Sequence, residues 1–148
     1  MTVTSNRIFL ARLAGQPVYD PHGDPVGKLR DLVVTMRSAG APPRVLGLVV
    51  EVLGRRRVFV PMTRLTSVDA GQLIITGVLN MRRFEQRSTE ILVYGQLFDR
   101  NVRLRHDDVE GEIFDVGMEQ GRNHEWFVTS LALRERGKRL RRGQTHVA

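Results

Sequence analysis

Sliding the sequence along itself by 84 positions lays residues 7–34 over residues 91–118 without a gap. Six of these 28 pairs are identical: Leu13/Leu97, Val18/Val102, His22/His106, Asp24/Asp108, Gly27/Gly111 and Asp31/Asp115. Ordinary composition would give about two. The pairs Ile8/Leu92, Phe9/Val93, Leu29/Ile113, Leu32/Val116 and Val34/Met118 keep the apolar pattern in phase. A chain of 148 residues that repeats itself in this way is expected to be two small copies of one unit, since each copy is too short for a large core of its own.

The unit reads as follows. A short helical or irregular lead-in carries Ile8, Phe9 and Leu13. A short strand around Val18 leads into the turn Asp20-Pro21-His22-Gly23-Asp24, made of residues that turns demand. A longer strand spans Val26–Val34. Gly27 and Gly111 open that strand in both copies, which points to a bulge or a close backbone approach. The strand 45–53 and the run Val58-Phe59-Val60 then read as a hairpin around the basic turn Gly54-Arg55-Arg56-Arg57. Pro61 ends the return strand, Met62–Leu65 reads as one helical turn, and Gln72–Gly77 closes the unit. Some five short strands in under 80 residues predict a small closed or half-closed barrel.

In the second copy Trp126–Leu133 matches the first hairpin arm, and Gly137-Lys138-Arg139 repeats the basic turn at an offset of 83. At that offset nothing matches Thr66–Gly77. The second barrel is therefore expected to lack its closing strand, the chain to be cut from a longer protein, and the open edge to pair with something. The expected division is unit one at 1–79, a polar linker with some helix at 80–89, and unit two at 90–148.

Composition narrows the function. There is no cysteine, which excludes disulfides and thiolate metal sites and suits a reducing cytoplasm. Met1–Arg12 holds no long apolar stretch of the signal-peptide kind, and the most apolar run, Val45–Val50, is far short of the roughly 20 residues of a membrane span. Net charge is +7. The positive surplus sits in residues 1–79 and in the last fifteen residues, while 80–133 are net acidic. Nearly all the basic residues are arginine, a bias that a GC-rich genome also produces.

Catalytic chemistry is hard to place. His22 and His106 sit beside Asp24 and Asp108, which would supply two metal ligands per turn, but a third is missing and turn chemistry accounts for both pairs. Asp31 and Asp115 share a strand position among apolar residues; a general base is one reading, and a carboxylate that faces solvent or caps a neighbouring loop is the better one. The serines occupy no nucleophile elbow, and no phosphate-cradling glycine loop occurs. No catalytic residue, metal or cofactor is assigned, and the chain is read as a non-enzyme. The basic turns remain as partner-binding residues: Arg55, Arg56 and Arg57 in the first copy, Lys138, Arg139, Arg141 and Arg142 in the second. Clustered arginines suit phosphate or carboxylate groups. A solvated hairpin whose charges guard an edge explains them equally well.

The run Gly15, Val18, Asp20, Gly23, Val26-Gly27, Leu29 and Asp31, followed by an apolar strand, a basic turn and Val58-Phe59-Val60-Pro61, resembles the PRC-barrel family. The second run, Val102, Asp108, Gly111, Ile113 and Asp115, fits more loosely, with Glu110 in place of Val26 and Asp107 in place of Gly23. Together with Leu-Asn-Met-Arg-Arg-Phe-Glu after the first copy, the arrangement resembles the N-terminal part of actinobacterial proteins that place such units ahead of an MgtE-type N-terminal domain and CBS domains. The resemblance implies a mainly β fold of two tandem PRC-barrel-like barrels with short connecting helices. It also implies a docking or assembly role, without catalysis, in a larger cytoplasmic and magnesium-related regulatory protein. A protein partner and a homo-oligomer are expected. An RNA- or ribosome-associated factor using the basic hairpin tips is the alternative, since the family includes part of a ribosome-maturation factor.

Overall fold

The computed structural model describes residues 7–38, 40–69, 72–104, 109–135 and 144–147. The first half contains β1 (Ile8–Phe9), a 3-10 turn at Ala11–Leu13, β2 (Pro17–Tyr19), β3 (Pro25–Thr35), β4 (Arg44–Val52), β5 (Arg56–Pro61), β6 (Leu65–Asp69) and β7 (Gln72–Ile75). The second contains β8 (Glu90–Leu92), a π-helical turn at Val93–Leu97, β9 (Asn101–Leu104), β10 (Val109–Gln120), β11 (Trp126–Glu135) and β12 (Gln144–Val147). These twelve strands form one curled sheet, whose main path runs β1-β10-β11-β4-β3-β2-β7-β6. The fold is mainly β with a half-barrel curl.

The long strands are irregular in the same way. β3 pairs antiparallel with β4, and its register shifts between Leu29 and Asp31 and again between Val33 and Val34. β10 pairs antiparallel with β11 and shifts between Ile113 and Asp115 and between Gly117 and Met118. Each shift in β10 lies 84 residues beyond its counterpart in β3. Bulges bend a strand and increase its twist, so two at fixed positions curl each long hairpin alike. Gly27 and Gly111 serve that close packing. A Cβ at Gly27 would collide with the Glu51 carbonyl oxygen, and one at Gly111 would sit 2.6 Å from the Arg134 carbonyl oxygen.

The two halves are interleaved. β1, the lead-in of the first half, pairs with β10 of the second through Ile8↔Met118 and Phe9↔Gly117. β8, the lead-in of the second half, pairs with β3 of the first through Val33↔Leu92 and Val34↔Ile91. The sheet continues across the middle where β4 meets β11 at Arg44↔Phe127 and Val45↔Trp126. This exchange explains the run Leu32-Val33-Val34, three successive residues almost without solvent contact. Alternate residues of a strand face opposite sides, so a continuous buried run needs cover on both. The turn at Val93–Leu97 packs against β3 and helps to supply it. The core then runs through both halves, from Leu10, Leu29 and Leu73 to Ile113, Met118 and Leu133.

Several expectations change. The lead-ins are a short strand followed by a helical turn. Leu65, expected to end a helical turn, instead begins a strand, Leu65–Asp69, that pairs with β7. The linker carries no helix among its described residues. It lies extended along β5, with Val58 bridged to Arg83, the Phe84 amide bonded to the Arg57 carbonyl at 2.8 Å, and the Phe59 and Phe84 rings stacked at 6.1 Å. β12 pairs with β11 as β5 pairs with β4. Ser130 faces Val147 where Gly47 faces Pro61, so the second hairpin connection is three residues longer than the offset of 83 allowed.

Replacing Gly27 or Gly111 by alanine is expected to cost about 2 kcal/mol each, because the carbonyl in the way belongs to a paired neighbouring strand. Chemical unfolding of the two variants measures it.

Candidate functional site

The first basic hairpin tip is well defined. Val52 and Arg56 are the last pair of the β4–β5 ladder, leaving Leu53-Gly54-Arg55 as the loop. Gly54 has φ 78 and Arg55 has φ 58. A left-handed conformation is easy for glycine and costs an ordinary L-residue of order 1 kcal/mol. Of the three arginines, Arg55 alone lies in the turn, while Arg56 and Arg57 begin β5. All three are exposed, and Leu53 beside them is 95% exposed.

The charges at this tip differ in what they already hold. Arg30 donates to Glu51 at 3.1 Å, and Arg57 lies 3.7 Å from the other oxygen of the same carboxylate. The Arg30 hydrogen bond, with help from Arg57, holds the Glu51 carboxyl below its ordinary range. Arg56 donates to the Met81 carbonyl at 3.1 Å, which ties the linker down. Arg55 has no hydrogen-bond or ion-pair partner among the described residues. Lys138, Arg139, Arg141 and Arg142 of the second basic segment lie outside the described residues, as does Arg136. Arg134, just before that segment, sits over the Phe114 ring at 5.4 Å.

The aspartates shared by the two halves prove to be caps, and each caps the opposite half. Asp31 is 6% exposed and accepts the amides of Leu32, Tyr94 and Gly95 at 2.8, 2.8 and 3.1 Å. Asp115 accepts the amides of Val116 and Ala11, both at 2.8 Å. Ala11 and Gly95 are counterparts at offset 84, so the two contacts are reciprocal. Between them the Tyr94 hydroxyl donates to the Leu10 carbonyl at 2.6 Å, and these residues are again 84 apart. Burial pushes the Asp31 carboxyl above its ordinary 3.8, outweighing the amide bonds that favour the charged form. Burial, followed by the charges of Asp31 and Asp115, pushes the Tyr94 hydroxyl up as well.

The histidine turn is a backbone device. Asp20 accepts the amides of His22 and Asp24 at 2.9 and 3.0 Å, and both residues are exposed. His106 and Asp108 lie outside the described residues. Among the described residues no group of three His, Asp or Glu could hold a metal ion, and no helix is long and apolar enough to cross a membrane. Sequence reasoning flagged Asp31 and Asp115 through their identity but not their reach across the halves. It missed Leu53 and Tyr94, which no motif marks.

A small curled β domain with tight glycine-opened hairpins is the class that this geometry defines. The PRC-barrel domain family matches residues 5–78, and the Actinomycetes SH3 domain family matches residues 91–148. The first match spans half of the chain, which therefore belongs to the PRC-barrel family. No curated protein shows significant similarity to it.

Asp31→Ala is expected to destabilise the fold by about 2 kcal/mol, because it leaves the Leu32, Tyr94 and Gly95 amides without their acceptor, and Asp115→Ala by about 1 kcal/mol. The raised Asp31 pKa contributes stability that is complete below the ordinary value of 3.8 and is lost as pH rises through the folded value. Stability measured across acidic pH should show this slope in the native chain and not in Asp31→Asn.

Proposed function

We propose that the chain is a non-catalytic docking module that binds a protein partner through its basic hairpin tip. The observation that carries this is Arg55, a cation without a partner among the described residues, held at φ 58 where glycine would relieve the strain. Backbone strain that confers no folding advantage concentrates where a side chain is kept for contact. The fully exposed Leu53 beside it adds an apolar contact to the charged one. The buried carboxylate that could have served as a base, Asp31, is instead engaged by amides of the opposite half. Recurrence of the elements, both bulges and the reciprocal caps at one offset supports reading the two halves as copies of a single unit. The resemblance to proteins that continue into MgtE-type and CBS domains supports a cytoplasmic, magnesium-related regulatory setting for the docking.

RNA binding is the second reading, favoured by the exposed arginines alone. Salt separates the two, since binding to phosphates weakens steeply as counterions compete.

The test uses the chain as bait beside Arg55→Glu/Arg56→Glu, with Arg57 left to hold Glu51. A partner retained at moderate salt and after nuclease, and weakened at least about tenfold by the double reversal, is the expected result. Equal retention by both baits overturns the tip as the contact. Loss of all binding with nuclease transfers the site to RNA. Arg55→Gly is expected to raise stability by up to about 1 kcal/mol while weakening the same binding, which unfolding and binding measurements on one variant reveal together.

A further inference from the structure

The second half leaves half-open what the first half closes. Leu13, Val18 and Leu48 are 1%, 0% and 0% exposed. Their counterparts Leu97, Val102 and Leu131 are all only half-buried, and Phe98 and Val109 join them at the margin of the core. The first half shows what makes the difference at Val18. There β7 runs parallel to β2, with Val18↔Leu73 and Tyr19↔Ile74 in register, and β6 backs it as a hairpin. Leu73 and Ile75, two residues apart on one face, are 0% and 2% exposed and fill the interior. β9 is the counterpart of β2. Among the described residues its strand pairing is to β10, and none stands where β7 would be.

We propose that this side of the second half is a docking site for an extended segment of a partner protein. The segment lies parallel to β9 and carries branched apolar side chains at alternate positions, as Leu73 and Ile75 do in β7. The first half is the template for this occupant: a like long strand with the same two bulges, and the place beside β2 filled by β7. Added strands are a common mode of recognition, with the backbone giving register and alternate side chains giving selectivity. Covering Val102 removes apolar surface from water, which favours binding. The site lies on the other half from the Arg55 tip and stands or falls independently of it.

The experiment titrates the intact chain with a synthetic peptide of the sequence of residues 64–77 and follows amide hydrogen exchange. Saturable slowing of exchange within 101–104, by at least about tenfold, is the expected result. A control peptide with aspartate at the positions of Leu73 and Ile75 should give none, and Val102→Asp in the chain should abolish the effect of the native peptide. Val102 is half-exposed, so that variant keeps its fold, and an unchanged far-ultraviolet spectrum confirms it. No slowing, equal slowing by both peptides, or slowing confined to other strands overturns the proposal. Slowing within 101–104 that appears without peptide as the chain is concentrated assigns the site to a second copy and overturns it equally.

Discussion

Two carboxylates, each receiving backbone amides from the opposite half, are the contacts on which this architecture depends. Ala11 and Gly95 begin or lie within short helical turns whose amides have no partner inside the turn. Asp115 and Asp31 supply those partners. With the turns fixed, Leu10 and Leu13 on one side and Val93 on the other seal the second face of the long strands. That seal is what permits successive buried residues in β3. The lead-in strands follow as a result, because each is carried by its turn onto the other half's long strand. A substitution at either aspartate therefore acts at a junction of the whole molecule, even though each residue looks like a local cap.

Much of the strand order could be read from the residues. The turn at Asp20–Asp24, the long strand after it and the β4–β5 hairpin follow from alternation and turn chemistry, and the close approach at Gly27 and Gly111 follows from glycine at a strand start. β6 was not visible because Leu65-Thr66-Ser67-Val68-Asp69 is too polar to stand out beside β7. The linker was misjudged because a polar stretch gives no local sign of lying along an edge; the Phe59–Phe84 stack that holds it joins residues with no common pattern. The reciprocal caps were invisible for a stronger reason. Ala11 and Asp115 are separated by 104 residues, and identity at a fixed offset shows that two positions are alike without showing what they touch. The strain at Arg55 also had no signature, because Gly-Arg-Arg-Arg reads equally well as a turn with glycine alone in the left-handed region.

The two halves match different families while their backbones share both bulges and the same order of strands as far as β5 in one and β12 in the other. Geometry and surface chemistry have thus separated. The positions that set strand curvature remain alike, at Gly27/Gly111 and Asp31/Asp115. The positions that meet solvent diverge, as exposed Lys28 against exposed Glu112 shows. The first half is basic and the second acidic up to its last segment.

The interleaving also sets an order of events in time. Ile8 pairs with Met118, so this strand waits for the 110 residues from Phe9 to Met118 to be made before it meets its partner. Synthesis adds roughly 5–20 residues each second, so this wait is of the order of ten seconds. Throughout it Leu10 and Leu13 lack the β10 surface that encloses them. The first half can form its β2–β5 and β6–β7 ladders early, since those contacts are local, but it cannot be sealed. The nascent chain thus carries an apolar segment, Ile8–Leu13, with nowhere to dock until β10 has emerged, and during that interval a chaperone, or a neighbouring chain on the same message, has access to it.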